Sequence, residues 1–359
     1  MMGSSPVAAE VHTLAKTTPR YIPSRSPLLP NLPTTPQVTA STSAPSGDQN
    51  PYGVAYVPAS FPKNGAVQPG DILVSNYNGP SGFQGTGTSI VRVTPSGTST
   101  LFARTPAGTG LSTALGVLSR GFVVVGNSPS SDGTAATAGA GSLFFLDRNG
   151  QVVGQYSNPS LLNGPWDLTV VDHGSTASIF VSNVLSGTVT RLNVTVPSRG
   201  TNVVVRSATE IASGYTHRGD PAAFELGPTG LAYDAGSGTL YVASTADNAI
   251  YAIPNAQTVR QSRGTGRVVF ADPTYLHGPL GLTLAPNGDL ITANGDAINP
   301  NPAQSSTLVE FTRRGKFVGQ LQVSTSAGGA FGLAVSQHRN GTQLAAVDDI
   351  LNRLDLFSV

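Results

Sequence analysis

The chain has no cysteine. Disulfides, thiol nucleophiles and thiolate metal sites are therefore excluded, while the compartment is left open. Charge is sparse: 11% of residues carry it, with a formal net of +1. No basic run or patch interrupts the sequence, which argues against nucleic acid and against an anionic membrane surface as partner. No apolar stretch reaches the length of a membrane-spanning helix. Histidine is scarce at five, and tryptophan occurs once. A Gly-x-Ser-x-Gly elbow, a phosphate loop, a zinc spacing and a dinucleotide fingerprint are all missing. What the chain has in quantity is turn chemistry. Its 42 glycines and 27 prolines, with abundant Ser, Thr and Asn, suit an all-β structure rich in tight turns.

Residues 227–253, GPTGLAYDAGSGTLYVASTADNAIYAI, show how the turns are used. Three short β-branched or aromatic runs are separated by Gly, Ser, Asn and Asp, the pattern of strands joined by turns. The entry motif of this unit recurs as NPYG ending at Gly53, TALG at Gly116, GPWD at Asp167, GPTG at Gly230, GPLG at Gly281 and GAFG at Gly332. The anchors lie 51 or 63 residues apart. After each comes a strand such as Ile72-Leu73-Val74-Ser75-Asn76, then a third that runs into a turn, and in most copies a fourth. Four strands at a period near fifty residues mark a β-propeller blade.

The spacing thus predicts an all-β, six-bladed β-propeller of four-stranded blades filling residues 37–359, with blades near 50–103, 113–156, 163–211, 227–271, 278–323 and 329–359. The last copy has room for only three strands, so the β-prone run 37–43 (QVTASTS) is expected to supply its outer strand and close the ring, removing an open edge. Residues 1–36, with seven prolines and no periodic apolar face, read as an extended arm, a tether or a docking peptide. The arm lacks the apolar core of a signal peptide. The low-charge, Thr/Ser/Asn-rich body suggests an extracytoplasmic protein, periplasmic or secreted.

In a propeller the ends of the second strands and the links between blades gather at one mouth. Asn76, Asn127, Asn183, Asn294 and Asp348 all end second strands. These side chains either cap the following turn or line a polar axial site for water, a cation or a polar ligand. Trp166 and Asp167 enter the third blade where other copies have a smaller residue and Gly, a pair suited to a sugar- or amine-like ligand or to wedging between blades. His277 is placed near the mouth as a candidate base or metal ligand. His173 is expected on the opposite face, in solvent. Arg218-Gly219-Asp220 spells an adhesion tripeptide, and Asp348-Asp349 is the acidic pair near the axis.

The recurring Gly-Pro-x-Gly-Leu, Gly-x-Leu-Tyr-Val-Ala-Ser/Asn and x-Ile-x-x-Ile/Phe elements resemble NHL-repeat six-bladed propellers and, more distantly, the gluconolactonase/strictosidine-synthase-like superfamily, over about residues 50–359. The first resemblance implies a non-enzymatic platform that binds a protein or glycan partner at the mouth or through the arm. The second implies a hydrolase or lyase with an axial Ca²⁺, here held by Asn183, Asn294 and Asp348, with His277 as base. That group's entry glutamate is missing: the entries read Asn163-Gly164-Pro165, Leu226-Gly227-Pro228 and His277-Gly278-Pro279.

Overall fold

A computed structural model describes residues 26–110, 113–198, 202–338 and 341–359. Its strands form six four-stranded antiparallel sheets arranged as the blades of a propeller. Blade 1 runs Gln49–Tyr56, Ile72–Asn78, Ser89–Val93 and Ser99–Arg104, from the inner strand outward. Blade 2 is Leu115–Leu118, Phe122–Asn127, Ser142–Asp147 and Val152–Tyr156; blade 3 is Pro165–Asp172, Thr176–Asn183, Thr188–Thr195 and Val204–Ser213. Blade 4 is Pro228–Asp234, Thr239–Ser244, Ala249–Ile253 and Arg267–Phe270; blade 5 is Pro279–Leu284, Leu290–Asn294, Thr307–Phe311 and Phe317–Gln322. Blade 6 takes Ala330–His338, Gly341–Asp348 and Arg353–Ser358 from the C-terminus, and Val38–Ser41 pairs antiparallel beside the last, with Val38 opposite Leu356 and Ser41 opposite Arg353. The N-terminal strand therefore completes the final blade, and the ring has no open edge there.

The anchor glycines sit where inner strands approach one another around the axis. A Cβ on Gly332 would collide with the Tyr52 carbonyl oxygen of blade 1, one on Gly281 with the Phe331 carbonyl of blade 6, and one on Gly230 with the Leu280 carbonyl of blade 5. Close backbone approach is what demands glycine at these positions and at Gly53, whereas a Cβ on Gly116 would meet the Leu168 and Val170 side chains. Between each pair of neighbouring blades lies one layer of buried apolar side chains. Leu118, Phe145, Ile179 and Leu192 fill the space between blades 2 and 3, for example, and Ile72, Val74, Ala345 and Leu356 the space between blades 1 and 6. The strands read as continuous apolar runs because both faces of each blade are covered.

Two features differ from the sequence expectation. Residues 1–25 of the proline-rich arm lie outside the described residues, but residues 28–32 pack on the ring instead of extending from it. Leu28, Leu29 and Leu32 enter the apolar layer between blades 5 and 6. Their anchor is Glu310, fully buried in the third strand of blade 5, whose carboxylate accepts the Leu28 and Leu29 amides at 2.9 and 2.6 Å. The second difference is the link between blades 3 and 4, which forms a small hairpin of Arg218–Asp220 and Phe224–Leu226. Asp220 holds its turn, accepting the Ala222 and Ala223 amides at 2.9 Å each. Among the described residues, no helix is long and apolar enough to cross a membrane.

Candidate functional site

The second-strand asparagines stitch blades together. Asn76 donates its amide to the Thr42 carbonyl at 2.8 Å, Asn127 to Thr109 at 2.7 Å, Asn183 to Leu161 at 3.1 Å and Asn294 to Tyr275 at 2.8 Å. Each of these carbonyls lies on the chain arriving from the preceding blade's outer strand. Each Asn also bonds a Ser or Thr of its own blade: Ser89, Ser142, Thr188 with Thr190, and Thr307. Blade 6 replaces the arrangement with Asp348, whose Oδ2 lies 3.5 Å from Arg353 Nη2 and whose Oδ1 accepts the Leu351 amide at 3.2 Å. From sequence these residues either cap the following turn or line the axis; the amides of the four asparagines bond instead to the chain entering the blade, and Asp348 accepts an amide of the following turn.

The same bonds test the axial calcium site. Asn183 Oδ1 accepts the Asn163 amide at 3.2 Å, and Asn294 Oδ1 accepts the His277 amide at 2.9 Å. With those oxygens engaged and Asp348 facing Arg353, the set Asn183, Asn294 and Asp348 does not fit a hard cation that needs six or more oxygens. Among the described residues, no three His, Cys, Asp or Glu side chains group as metal ligands. His277 is also turned to structure: it is 5% exposed, and its Nδ1 meets the Asn299 carbonyl. It does not line the mouth, so its assignment as catalytic base is withdrawn. His173 is exposed, as expected, beside Gln257.

The mouth itself is a cavity of about 380 Å³. Its wall is aromatic. Tyr52, Tyr77, Trp166 and Phe331 line it, together with Leu280, Ile350 and the hairpin residues Ala222, Ala223, Glu225 and Leu226. Tyr52 stacks on Phe331 at 4.9 Å between centroids and meets Trp166 edge-on at 5.8 Å. The Trp166 indole N–H donates to the Tyr52 hydroxyl at 3.0 Å, and Phe224 stacks behind Trp166 at 6.4 Å. Trp166 thus lines the cavity and wedges the ring, both roles the sequence allowed. Tyr52, Trp166, Leu280 and Phe331 hold equivalent positions, each just before the anchor of its blade. The axial channel continues past them, lined by Val54, Val117, Leu168, Leu231, Leu282 and Leu333 from the six inner strands.

Asp167 lies in that channel rather than at the mouth. It stands where other blades have Gly, and its carboxylate bridges blades 3 and 4 by accepting the Leu231 amide at 2.9 Å and its neighbour Leu168 at 2.8 Å. Burial pushes its carboxyl up to about 7 against the pull of those two N–H groups.

Three carboxyl groups face the mouth: Asp349, which the sequence placed in the acidic pair near the axis, and Glu225 and Asp296, which sequence reasoning did not select as site residues. Asp296 and Asp349 follow the second strands of blades 5 and 6, one or two residues past Asn294 and Asp348. Glu225 is carried by the hairpin. Its neighbour Phe224 has φ +63°, a left-handed conformation unusual for a bulky residue, which places the ring in the aromatic cluster. Burial pushes Glu225 up to about 7, with His217 pulling it back; burial also pushes Asp349 up to about 7, helped by the charge of Asp348. Asp296 is raised by burial too, although the Ser306 and Gly328 amides bond it. Burial holds the Tyr52 and Tyr77 phenols neutral.

The loop after the second strand of blade 1 reaches the mouth through Gln84. Gln84 in the blade 1 corner donates to the Ala222 carbonyl of the hairpin at 3.0 Å. In the blade 2 corner, Asp132 accepts the Thr134 amide at 2.9 Å and the Thr137 hydroxyl at 2.6 Å, which orders that loop.

No family model matches the sequence, and no curated protein matches it. Solved structures share the fold. A gluconolactonase from Xanthomonas campestris superposes with TM-score 0.54 at 16% identity, covering 87% of each chain. An α-L-arabinanase from Penicillium chrysogenum, complexed with arabinobiose, gives 0.54 at 13%, covering 90% of this chain and 98% of its own. A luciferin-regenerating enzyme gives 0.53 at 11%, covering 89% and 94%. The chain is a six-bladed, all-β propeller, the fold it shares with these solved structures.

Proposed function

We propose that the protein is a small-molecule hydrolase or lyase whose reaction takes place in the mouth cavity, with Glu225 and Asp349 as its acid–base pair. One observation carries this: two carboxyl groups pushed up to about 7 face an aromatic-lined cavity at the propeller mouth. A group whose pKa lies near the working pH is half protonated there, so the pair supplies both an acid and a base. In hydrolysis, the ionised carboxylate takes a proton from water as its oxygen bonds the electrophilic carbon. The protonated carboxyl gives its proton to the departing oxygen, and the two exchange states on completion. The neutral phenols of Tyr52 and Tyr77 and the Trp166 ring hold the substrate's apolar face and exclude water.

The similarly folded gluconolactonase and arabinanase suggest a cyclic ester or a glycoside as the bond broken, an analogy at the level of fold. The exposed Phe83, Ile350 and Leu351 beside the rim favour a second reading, a platform on which a partner protein or glycan docks over the mouth. The low-charge, Thr/Ser/Asn-rich body supports an extracytoplasmic setting for either. The test is turnover of a panel of aldonolactones and aryl glycosides. The enzyme reading expects kcat/KM to fall about 100-fold or more in Glu225→Gln and Asp349→Asn. Turnover that both variants retain overturns the acid–base assignment, and none across the panel favours the platform.

A further inference from the structure

Among the described residues, every charged side chain lining the mouth is acidic: Glu225, Asp296 and Asp349, with no lysine, arginine or histidine. The remaining wall presents the rings of Tyr52, Tyr77, Trp166 and Phe331. Four buried polar atoms of this wall, on Asn50, Tyr77, Asp296 and Asp349, lack hydrogen-bond partners among the described residues. Asp296 is 8% exposed and its Oδ1 accepts no hydrogen bond; Tyr77 is 2% exposed and its hydroxyl makes none. Buried polar atoms left without partners are costly, and a cavity that keeps them is built to receive something.

We propose that this cavity takes an organic ammonium ion, a small molecule carrying a protonated or quaternary amine. Aromatic faces attract such cations through the ring quadrupole, most strongly when water is excluded. Carboxylates supply the compensating charge, and an anion would be repelled by three of them. A neutral polyol can bond the free oxygens but leaves that charge uncompensated. The surrounding charges do not alter the balance. His217 stands near Glu225, His277 near Asp296 and Asp348 beside Asp349, while Arg353 is engaged with Asp348 and Asp355. The assignment rests on the mouth being the working site and adds the substrate's charge to it.

The single tryptophan lies in the cavity wall, so its fluorescence reports occupancy directly. The experiment titrates the full chain with choline and with 3,3-dimethyl-1-butanol, its uncharged isostere. Choline is expected to bind about tenfold or more tighter than the alcohol. Its affinity is expected to rise between about pH 6 and pH 8 as the carboxyls ionise, while that of the alcohol stays flat. Asp296→Asn also disturbs the bonds to Ser306 and Gly328, so Asp349→Asn, which removes a carboxylate whose Oδ1 accepts no hydrogen bond among the described residues, is the decisive variant. It should weaken choline about fivefold or more and leave the alcohol unchanged. Equal affinity for the two probes, or choline binding untouched by Asp349→Asn, overturns the cation assignment while keeping the mouth as a site. Absence of any response to either probe, by fluorescence and by calorimetry, overturns both.

Discussion

Replacing Asp349 with asparagine should make the protein more stable above neutral pH, although it damages the proposed site. The side chain is half-buried, its Oδ1 has no hydrogen-bond partner among the described residues, and its neighbour Asp348 carries the same charge. Its carboxyl is pushed up to about 7, by burial first and by Asp348 second. Against an unfolded value of about 3.9, that is about three units, or an upper bound of about 4 kcal/mol. Partial exposure and coupling to Asp348 reduce the figure to roughly 1–2 kcal/mol. The sign follows from proton binding. The folded state holds the proton more tightly, so this group's contribution is fully present below about pH 4 and is lost as pH rises through about 7. An asparagine at this position cannot ionise and escapes the loss. Urea unfolding at about pH 4 and pH 8 should therefore show wild type and Asp349→Asn nearly equal at the lower pH and the variant ahead at the higher. A variant that is less stable at pH 8, or a difference that ignores pH, would refute the reasoning. Residues retained at a cost in stability are what a working site requires.

Two further outcomes test the scaffold. Leu29→Ala should cost about 2–4 kcal/mol in chemical denaturation, because Leu29 is 3% exposed in the layer between blades 5 and 6; a loss below about 0.5 kcal/mol would mean the segment is not part of the native core. Asn183→Ala should cost roughly 1–3 kcal/mol by freeing the Leu161 carbonyl and the Asn163 amide. The melting-temperature loss should be the same with and without a chelator; a loss that the chelator abolishes would return Asn183 to metal binding.

The ring was legible because its determinants repeat. Gly53, Gly230, Gly281 and Gly332 recur for a backbone reason, and the three-strand remainder at the C-terminus required a partner such as Val38–Ser41. The site was legible only as a region. Second-strand ends do gather near the mouth, but their asparagines are drawn into the chain entering the blade, and the cavity is faced by Asp296 and Asp349 just beyond. Nothing in the periodicity separates a residue that holds a turn from one that follows it. Glu225 depends on a hairpin whose strands are three residues each, too short to leave a pattern. One signal was available and unused: the position before each anchor reads Tyr52, Leu115, Trp166, Thr229, Leu280 and Phe331, and four of these six line the mouth. Glu310 could not be foreseen, since its partners are backbone amides about 280 residues away, a bond that the fold alone brings together.

The central claim is that burial against aromatic walls tunes the mouth carboxyls toward neutrality. Carbon-13 NMR titration of the Asp and Glu carboxyls measures it without any ligand. Two resonances, assigned by their disappearance in Glu225→Gln and Asp349→Asn, are expected to titrate at about 7. If both instead titrate near 4, as carboxyls in water do, the mouth holds no acid–base pair and the proposed chemistry falls with it.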